Sequence, residues 1–118
     1  MEYSISIEDV FAAAARLDGI VKRTPVVSAE GIDKIAGRQV LMKCENLQHI
    51  GAFKFRGATN AVIMLGDAAE KGVCTHSSGN HAQALSMAAK NRGVDAYIVM
   101  PKPHLESRFS ELRIKVLS

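Results

Sequence analysis

Apolar side chains follow helical spacing in some segments of this chain and strand spacing in others. Near the start they recur every three or four residues, which places them on one face of a helix. These positions are Ile7, Val10, Phe11, Ala14 and Leu17. Ser6 and Asp9 have the spacing of a capping box, and Gly19 follows the last apolar position. The pattern predicts an amphipathic first helix.

The next segment is predicted to hold an extended stretch, a short helix and a strand. Pro25 disfavours helix in the residue before it, so residues 24–27 are expected to be extended. Ser28 is a candidate cap for a short helix that ends near Gly37. Residues 39–44 have the composition of a strand.

Helix and strand patterns alternate more clearly in the second half of the chain. We predict helices over 53–65 and 80–92, and strands over 72–77 and 94–100. The apolar face of the second helix consists of Ala82, Leu85, Ala88 and Ala89. A strand, a helix and a strand with short connections form a βαβ unit, which implies parallel strands and an α/β fold.

The segment after Pro101 fits this alternation less well. Its apolar residues have the spacing of one more amphipathic helix. They are Leu105, Phe109, Leu112 and Val116. The sheet would then have few strands and at least one open edge. We therefore expect a truncated domain.

Composition narrows the class of protein. The 118 residues fit one domain, and 47% apolar with 23% charged residues is ordinary for a soluble globular chain. The net charge of +3 is spread along the chain, so nucleic-acid binding is not expected. Acidic Glu2, Glu8 and Asp9 argue against a signal peptide, and no apolar run reaches the ~20 residues of a membrane span. Cys44 and Cys74 lie in predicted strands, which favours buried, reduced thiols and a cytoplasmic protein.

Lys54 is the first candidate for chemistry. It lies between Phe53 and Phe55 at the expected start of a helix, between Gly51 and Gly57. Aromatic neighbours and the positive end of a helix make a lysine easier to deprotonate, and a neutral amine can form a Schiff base with a carbonyl compound. The alternative is a solvated lysine beside two core phenylalanines, and the lysine alone does not decide between them.

The turn from Ser77 to His81 is the second candidate. It follows a strand and opens a helix, and Gly79 permits a tight turn. The first amides of a helix lack partners and bind a carboxylate or phosphate readily. Together with Lys54, this turn suggests a pyridoxal phosphate site. The alternative is an ordinary helix cap, since Ser and Asn are favoured there.

Other kinds of site find less support. The sequence contains no G-x-S-x-G, G-x-G-x-x-G or P-loop motif. Cys74, His76 and His81 are candidate zinc ligands, but structural zinc sites usually have two close pairs of ligands and this segment has one. His49 and His104 are expected to be exposed.

Five segments resemble the serine racemase and serine/threonine dehydratase family, whose members are fold type II (tryptophan synthase β-like) pyridoxal phosphate enzymes. In chain order they are RTPV at 23–26, KCENLQ at 43–48, GAFKFRGA at 51–58, THSSGNH at 75–81 and AYIVMP at 96–101. The resemblance covers roughly residues 5 to 102 and implies a partial α/β fold of this type.

The resemblance implies roles for particular residues. Lys54 would be the Schiff-base lysine and would move the α-proton on one face of the substrate. Phe53 would pack against the cofactor, and Asn80 would hydrogen-bond its ring hydroxyl.

The same resemblance assigns the substrate contacts to the turn. Ser77, Asn80 and His81 would hold the substrate carboxylate. Ser78 matches the serine that handles the proton on the opposite face in racemases. The protonated imine and ring of the cofactor withdraw electrons, so the protein needs to orient the α-hydrogen and place a base on each face.

By the same resemblance, residues 1–70 would belong to the large cofactor domain, 71–102 to the start of the small α/β domain, and 103–118 to a divergent tail. Three features of the family have no counterpart in this sequence. They are the glycine-rich loop that binds the cofactor phosphate, the residue that faces the pyridine nitrogen, and the carboxylates that would hold Mg²⁺. Ala29-Glu30 and His49-Ile50 replace the pairs that bind ATP in animal serine racemases, so nucleotide activation is not expected.

The resulting hypothesis is an N-terminal fragment of a cytoplasmic pyridoxal phosphate enzyme that racemises or dehydrates L-serine or L-threonine, with a homodimeric parent. A pure ammonia-lyase is the second enzyme hypothesis. Two further hypotheses involve no catalysis by this chain. In one it is a truncated isoform that binds full-length subunits, and in the other it is a fragment that does not accumulate folded.

Overall fold

In the computed structural model, residues 4–100 and 114–117 are described. Their helices are α1 (Ile7–Leu17), α2 (Glu30–Ala36), α3 (Lys54–Met64) and α4 (Asn80–Arg92). Their strands are β1 (Val26–Val27), β2 (Met42–Lys43), β3 (Val73–His76), β4 (Ala96–Val99) and β5 (Ile114–Leu117). Short 3-10 helices span Glu45–Leu47, His49–Gly51 and Gly66–Lys71. No helix in the described ranges is long and apolar enough to cross a membrane.

The strands form two separate sheets in this part of the chain. β1 and β2 pair antiparallel, with Val26 opposite Lys43. β3, β4 and β5 form a parallel sheet in that order, with Val73 opposite Ala96 and Ala96 opposite Ile114. The connection from β3 through α4 to β4 is the predicted βαβ unit, so this part of the α/β prediction is confirmed.

The core lies between the parallel sheet and the two helices α3 and α4, which pack against each other. Every residue predicted to form the apolar face of α4 is buried. The core cluster is Ala58, Val62, Val73, Ala82, Ala84, Leu85, Ala88, Ala89, Ala96, Ile98 and Met100. Short alanine side chains on α4 allow close approach of α3 and of the strands. The starts of both helices, which carry the predicted site residues, therefore belong to one packed unit.

Helix α1 forms as predicted, but its apolar face stays open. Ser6 and Asp9 make the capping box, with 2.8 Å from the Ser6 amide to Asp9 Oδ2 and 3.3 Å from the Asp9 amide to Ser6 Oγ. Of the apolar positions predicted on one face, only Leu17 is buried, and Phe11 is 66% exposed. The described residues therefore do not cover this face.

Two local predictions in residues 28–44 were wrong. Ser28 does not cap α2, because Ala29 takes the N-cap position and its carbonyl accepts the first helical bonds. The strand expected over 39–44 is reduced to Met42–Lys43. The Val40 amide donates to Asp33 Oδ1 at 2.7 Å, which removes this amide from any strand pairing.

The cysteines and the tail also differ from expectation. Cys74 lies in β3 but is exposed, since side chains alternate across a strand and Val73 takes the buried side. Cys44 follows β2 and is half-buried; both thiols are free. Val116 belongs to β5 and not to a helix, while the other three positions of the predicted tail helix lie outside the described residues.

Candidate active site

Lys54 is the first residue of α3, and its side chain is exposed. Its ammonium nitrogen lies 5.2 Å from the ring centroid of Phe53, a cation–π distance. Phe53 is the N-cap residue and is 59% exposed, whereas Phe55 is 1% exposed. The two phenylalanines thus diverge. One lies beside the amine and the other is buried in the protein.

A polar cluster holds the start of α3 from the other side. Arg56 Nε donates to Glu45 Oε2 at 2.9 Å, and Arg56 Nη2 donates to Glu45 Oε1 at 2.7 Å. Thr24 Oγ1 donates to Glu45 Oε1 at 2.5 Å, and Arg56 Nη2 also donates to the Lys22 carbonyl at 3.0 Å. The hydrogen bonds from Arg56 lower the pKa of Glu45 to about 2 from 4.5, with a further contribution from the Thr24 hydroxyl, so the carboxylate is charged at neutral pH.

The sequence prediction missed this cluster. Glu45 and Arg56 are separated along the chain and share no local motif of known chemistry. Gln48 was missed as well, although it is 3% exposed and pairs with both backbone groups of Lys22, at 3.0 Å to the amide and 2.9 Å to the carbonyl. Gln48 lies in the KCENLQ segment that carries the resemblance, but the sequence assigned it no role, because its partner is the backbone of a residue 26 positions earlier.

The turn after β3 leads directly into α4. The Ser77 amide donates to the Val99 carbonyl at 3.1 Å, which continues the β3–β4 pairing by one residue. Ser77 Oγ accepts from the Gly79 amide at 3.2 Å. Ser77 is half-buried, and the side chains of Ser78, Asn80 and His81 are exposed.

Helix α4 has no side-chain cap at its start, because its N-cap residue is Gly79. The alternative of an ordinary Ser or Asn cap therefore does not describe this helix end. Its N-cap residue gives the first amides no side-chain partner, and unpaired amides at the start of a helix can bind an anion.

The donor set fits pyridoxal phosphate in part. Three exposed groups match parts of the cofactor. The Lys54 amine can react with its aldehyde, the Phe53 ring can pack against its ring, and the Asn80 amide can hydrogen-bond its ring hydroxyl. A β-carbon placed on Gly79 would meet no atom within 4 Å, so space is open in front of the turn. Within the described residues, however, no hydrogen bond joins Lys54 to the turn, and the packing of α3 on α4 is what relates the two segments.

The other histidines and cysteines do not assemble into a site in the residues that the structure describes. No three His, Cys, Asp or Glu side chains there lie close enough to hold a metal ion. His49 is half-buried and packs edge-on against Phe55, with ring centroids 5.0 Å apart. It was expected to be exposed, and its contact with Phe55 explains the difference. His104 lies outside the described residues.

Comparison with known proteins gives one family. The family model described as "Pyridoxal-phosphate dependent enzyme" matches residues 17–114. Serine racemase of Arabidopsis thaliana is 53% identical over 102 residues, which are 86% of this chain and 31% of that protein. β-Hydroxyaspartate dehydratase of Paracoccus denitrificans is 46% identical over 112 residues, 94% of this chain and 36% of that protein.

Comparison of the fold with solved structures leads to the same family. The solved structure of maize serine racemase superimposes with a TM-score of 0.83 and 42% identity, covering 97% of this chain and 37% of that one. This likeness confirms the predicted fold class. The chain spans about a third of the length of the curated relatives it matches, 31% and 36% for the two named above. On the family match, the relatives and the fold together, this chain belongs to the family of pyridoxal-phosphate dependent enzymes.

Proposed function

We propose that this chain carries the lysine half of a pyridoxal phosphate site that racemises or dehydrates a small hydroxy amino acid, L-serine or L-threonine. The observation that carries the proposal is the exposed Lys54 amine at the start of α3, beside an exposed aromatic ring. Pyridoxal phosphate, when bound, withdraws electrons from the substrate α-carbon and so weakens its bond to hydrogen.

Lys54 and Phe53 have the cofactor roles in this proposal. Lys54 would hold the cofactor through its aldehyde carbon, and its amine would take or return the substrate α-proton on one face. Phe53 packs against the cofactor. Asn80, at the first position of α4, would donate a hydrogen bond to the cofactor's ring hydroxyl.

The turn after β3 has the substrate roles. Ser77, Asn80 and His81 hold the substrate carboxylate, and the uncapped amides of α4 supply further donors. Ser78 lies exposed in the same turn and is the proposed proton carrier on the opposite face. Racemisation needs a base on each face, whereas dehydration needs one base and loss of the β-hydroxyl.

Trapping with borohydride tests whether Lys54 reacts with the cofactor. The purified chain is incubated with pyridoxal phosphate, reduced, and mapped by mass spectrometry. A stoichiometric adduct on Lys54 is expected, because its amine is exposed and flanked by the proposed ring contact. An adduct spread over many lysines, or none, would contradict a preformed half-site.

The choice between racemase and ammonia-lyase is a separate test on a full-length protein containing this segment. The relatives include serine racemases and a β-hydroxyaspartate dehydratase, so serine, threonine and β-hydroxyaspartate are the substrates to compare. Chiral analysis of serine after incubation distinguishes the two. D-serine indicates a racemase, and a keto acid with ammonia but no D-serine indicates a lyase. Ser78→Ala is expected to abolish racemisation and to leave most dehydration.

A non-catalytic role is the second candidate, and the open apolar surface favours it. Val10 is 50% exposed, Phe11 66% and Ile35 91%. In this alternative the chain docks onto full-length subunits through such faces. Co-purification with a full-length subunit supports it, and a stable monomer loaded with the cofactor contradicts it.

The remaining proposals concern the longer protein. We propose a homodimer in the cytoplasm, with a divalent metal such as Mg²⁺ as an additional ligand. Residues 1–70 would belong to its large domain, 71–102 to the start of its small domain, and 103–118 to a divergent tail. Light scattering of the full-length protein checks the homodimer, and metal analysis checks the bound metal.

A further inference from the structure

The first turn of α3 presents three different environments in three successive residues. Lys54 is exposed, Phe55 is 1% exposed, and Arg56 is half-buried against the Glu45 carboxylate. Successive residues on a helix are about 100° apart, so residues two apart lie on nearly opposite sides. Arg56 therefore holds the side of the helix that faces away from Lys54.

Arg56 is held more firmly than a surface arginine. Two nitrogens of its guanidinium contact the two oxygens of Glu45, at 2.9 and 2.7 Å, a two-pronged geometry that fixes direction as well as distance. The same side chain donates to the Lys22 carbonyl at 3.0 Å and to Thr24 Oγ1 at 3.3 Å. The side chains are only 30% and 18% exposed, so water competes less for these bonds.

The residues immediately before α3 do not hold its first turn in place by themselves. The N-cap residue Phe53 gives no side-chain cap bond. The connection before the helix contains Ile50 at φ 58°, a backbone conformation that a β-branched residue keeps only with support from its surroundings. In the described residues the remaining anchors of the first turn are the burial of Phe55, the bonds from the Phe55 and Arg56 amides to the Ala52 and Phe53 carbonyls, and the side-chain contacts of Arg56. Ala58 and Val62 hold the rest of α3 against α4, so the contacts of Arg56 matter for the first turn alone.

We infer that Arg56 and Glu45 are positioning residues for Lys54: their ion pair sets the direction in which the Lys54 amine leaves the helix. The inference rests on the proposed role of Lys54. Without the pair, the first turn would fray, and the amine would sample several directions. Misplacement of a reacting group by about 1 Å can lower the reaction rate about a hundredfold.

The test compares the unmodified chain with Arg56→Gln, Glu45→Gln and the double variant. Lys115→Gln is the matched control, because it removes the exposed ion pair to Asp95 on the parallel sheet. The first measurement is the initial rate of borohydride-trapped pyridoxal adduct on Lys54, relative to the other lysines, at a temperature where each variant is folded by circular dichroism. We expect both single variants to lower this relative rate about tenfold, with no further loss in the double variant.

A second measurement does not involve the cofactor. Amide hydrogen exchange at residues 55–58 is expected to speed up about tenfold in Arg56→Gln and Glu45→Gln and to stay unchanged in Lys115→Gln. Unchanged exchange in both variants overturns the inference, whether or not the chain binds pyridoxal phosphate. Faster exchange with an unchanged relative rate on Lys54 overturns it too, because the pair would then stabilise the helix without positioning the amine. Failure of the unmodified chain to react at Lys54 counts against the proposed function, and the exchange result then decides only whether the pair holds the first turn of α3.

Discussion

Two glycines in the second half of the chain occupy very different surroundings. Gly72 has φ 86°, and a β-carbon there would lie 2.7 Å from the Tyr97 ring and 3.1 Å from the Asp95 carbonyl. Gly79 has φ −121°, which any residue adopts, and a β-carbon there would meet nothing within 4 Å. The fold of this chain therefore requires glycine at position 72 but not at position 79. Gly79 was expected to permit a tight turn, but its extended backbone does not depend on glycine.

Gly79→Ala is accordingly expected to leave the midpoint of thermal unfolding unchanged while it weakens binding at the turn. A methyl group at this place would occupy space directly in front of the uncapped α4 amides, where the proposed carboxylate and cofactor contacts lie. The measurement pairs a melting curve with the affinity for pyridoxal phosphate. Gly57→Ala is the control, since its β-carbon also meets nothing within 4 Å and it lies within α3.

Gly57→Ala should raise stability by about 0.5–1 kcal/mol, because alanine loses less backbone entropy in a helix. If Gly79→Ala instead unfolds the chain, the space around Gly79 is not open, contrary to the structure. If it folds and binds the cofactor with unchanged affinity, the turn is not the binding surface.

At the scale of elements, the ion pair of Arg56 with Glu45 joins α3 to the loop that follows β2. Glu45 follows β2, and Arg56 lies in the first turn of α3. The pKa of Glu45 is lowered to about 2 from 4.5, chiefly by its hydrogen bonds from Arg56. A carboxyl whose pKa is lower in the folded state stabilises the fold above the unfolded pKa. This stabilisation is lost as the pH falls from 4.5 towards about 2.

Acid titration measures this contribution. The free energy of unfolding, from urea melts at pH 6 down to pH 2.5, should fall by up to about 2–3 kcal/mol more in the unmodified chain than in Glu45→Gln. The substituted amide has no charge to lose, so its curve should be flatter over the same range. Parallel curves for the two proteins would mean that the pair contributes nothing to folding.

At the scale of the whole molecule, burial is unevenly distributed. In residues 4–50 only Leu17, Thr24 and Gln48 are buried, whereas the cluster around α3, α4 and the parallel sheet contains the apolar core. The α1 face carries exposed Ile7, Val10 and Phe11. Contiguous exposed apolar faces commonly mark sites of association, either with other polypeptide or between copies.

Phe11→Gln tests whether this face drives association. Because Phe11 is 66% exposed, its replacement should leave the melting temperature almost unchanged and lower the apparent mass of the chain in sedimentation experiments at high concentration. Val62→Gln is the contrasting variant, since Val62 is 2% exposed and a buried amide there should unfold the core. A large loss of stability in Phe11→Gln would show that the face is covered within the chain.

Local rules predicted the elements that contain their own signals. The capping box of α1, the alanine face of α4 and the βαβ alternation all lie within a few residues of sequence, and each was found where its pattern placed it. The strand at 39–44 is shorter than predicted, because the Asp33 side chain, seven residues earlier, takes the Val40 amide. Val116 was predicted on a helix but lies in β5, because it pairs opposite Ile98 on the edge of β4.

The sequence by itself determined the class of the fold, the family, and the two segments that carry Lys54 and the Ser77–His81 turn. Periodicity and short motifs encode these features, because they depend on neighbours along the chain. Only the tertiary structure decided that Phe53 is exposed while Phe55 is buried, and that Arg56 pairs with Glu45 behind Lys54. It also decided that α1 has no partner for its apolar face among the described residues. Burial and ion pairing depend on which distant groups meet, and the spacing of residues along one chain does not contain that information.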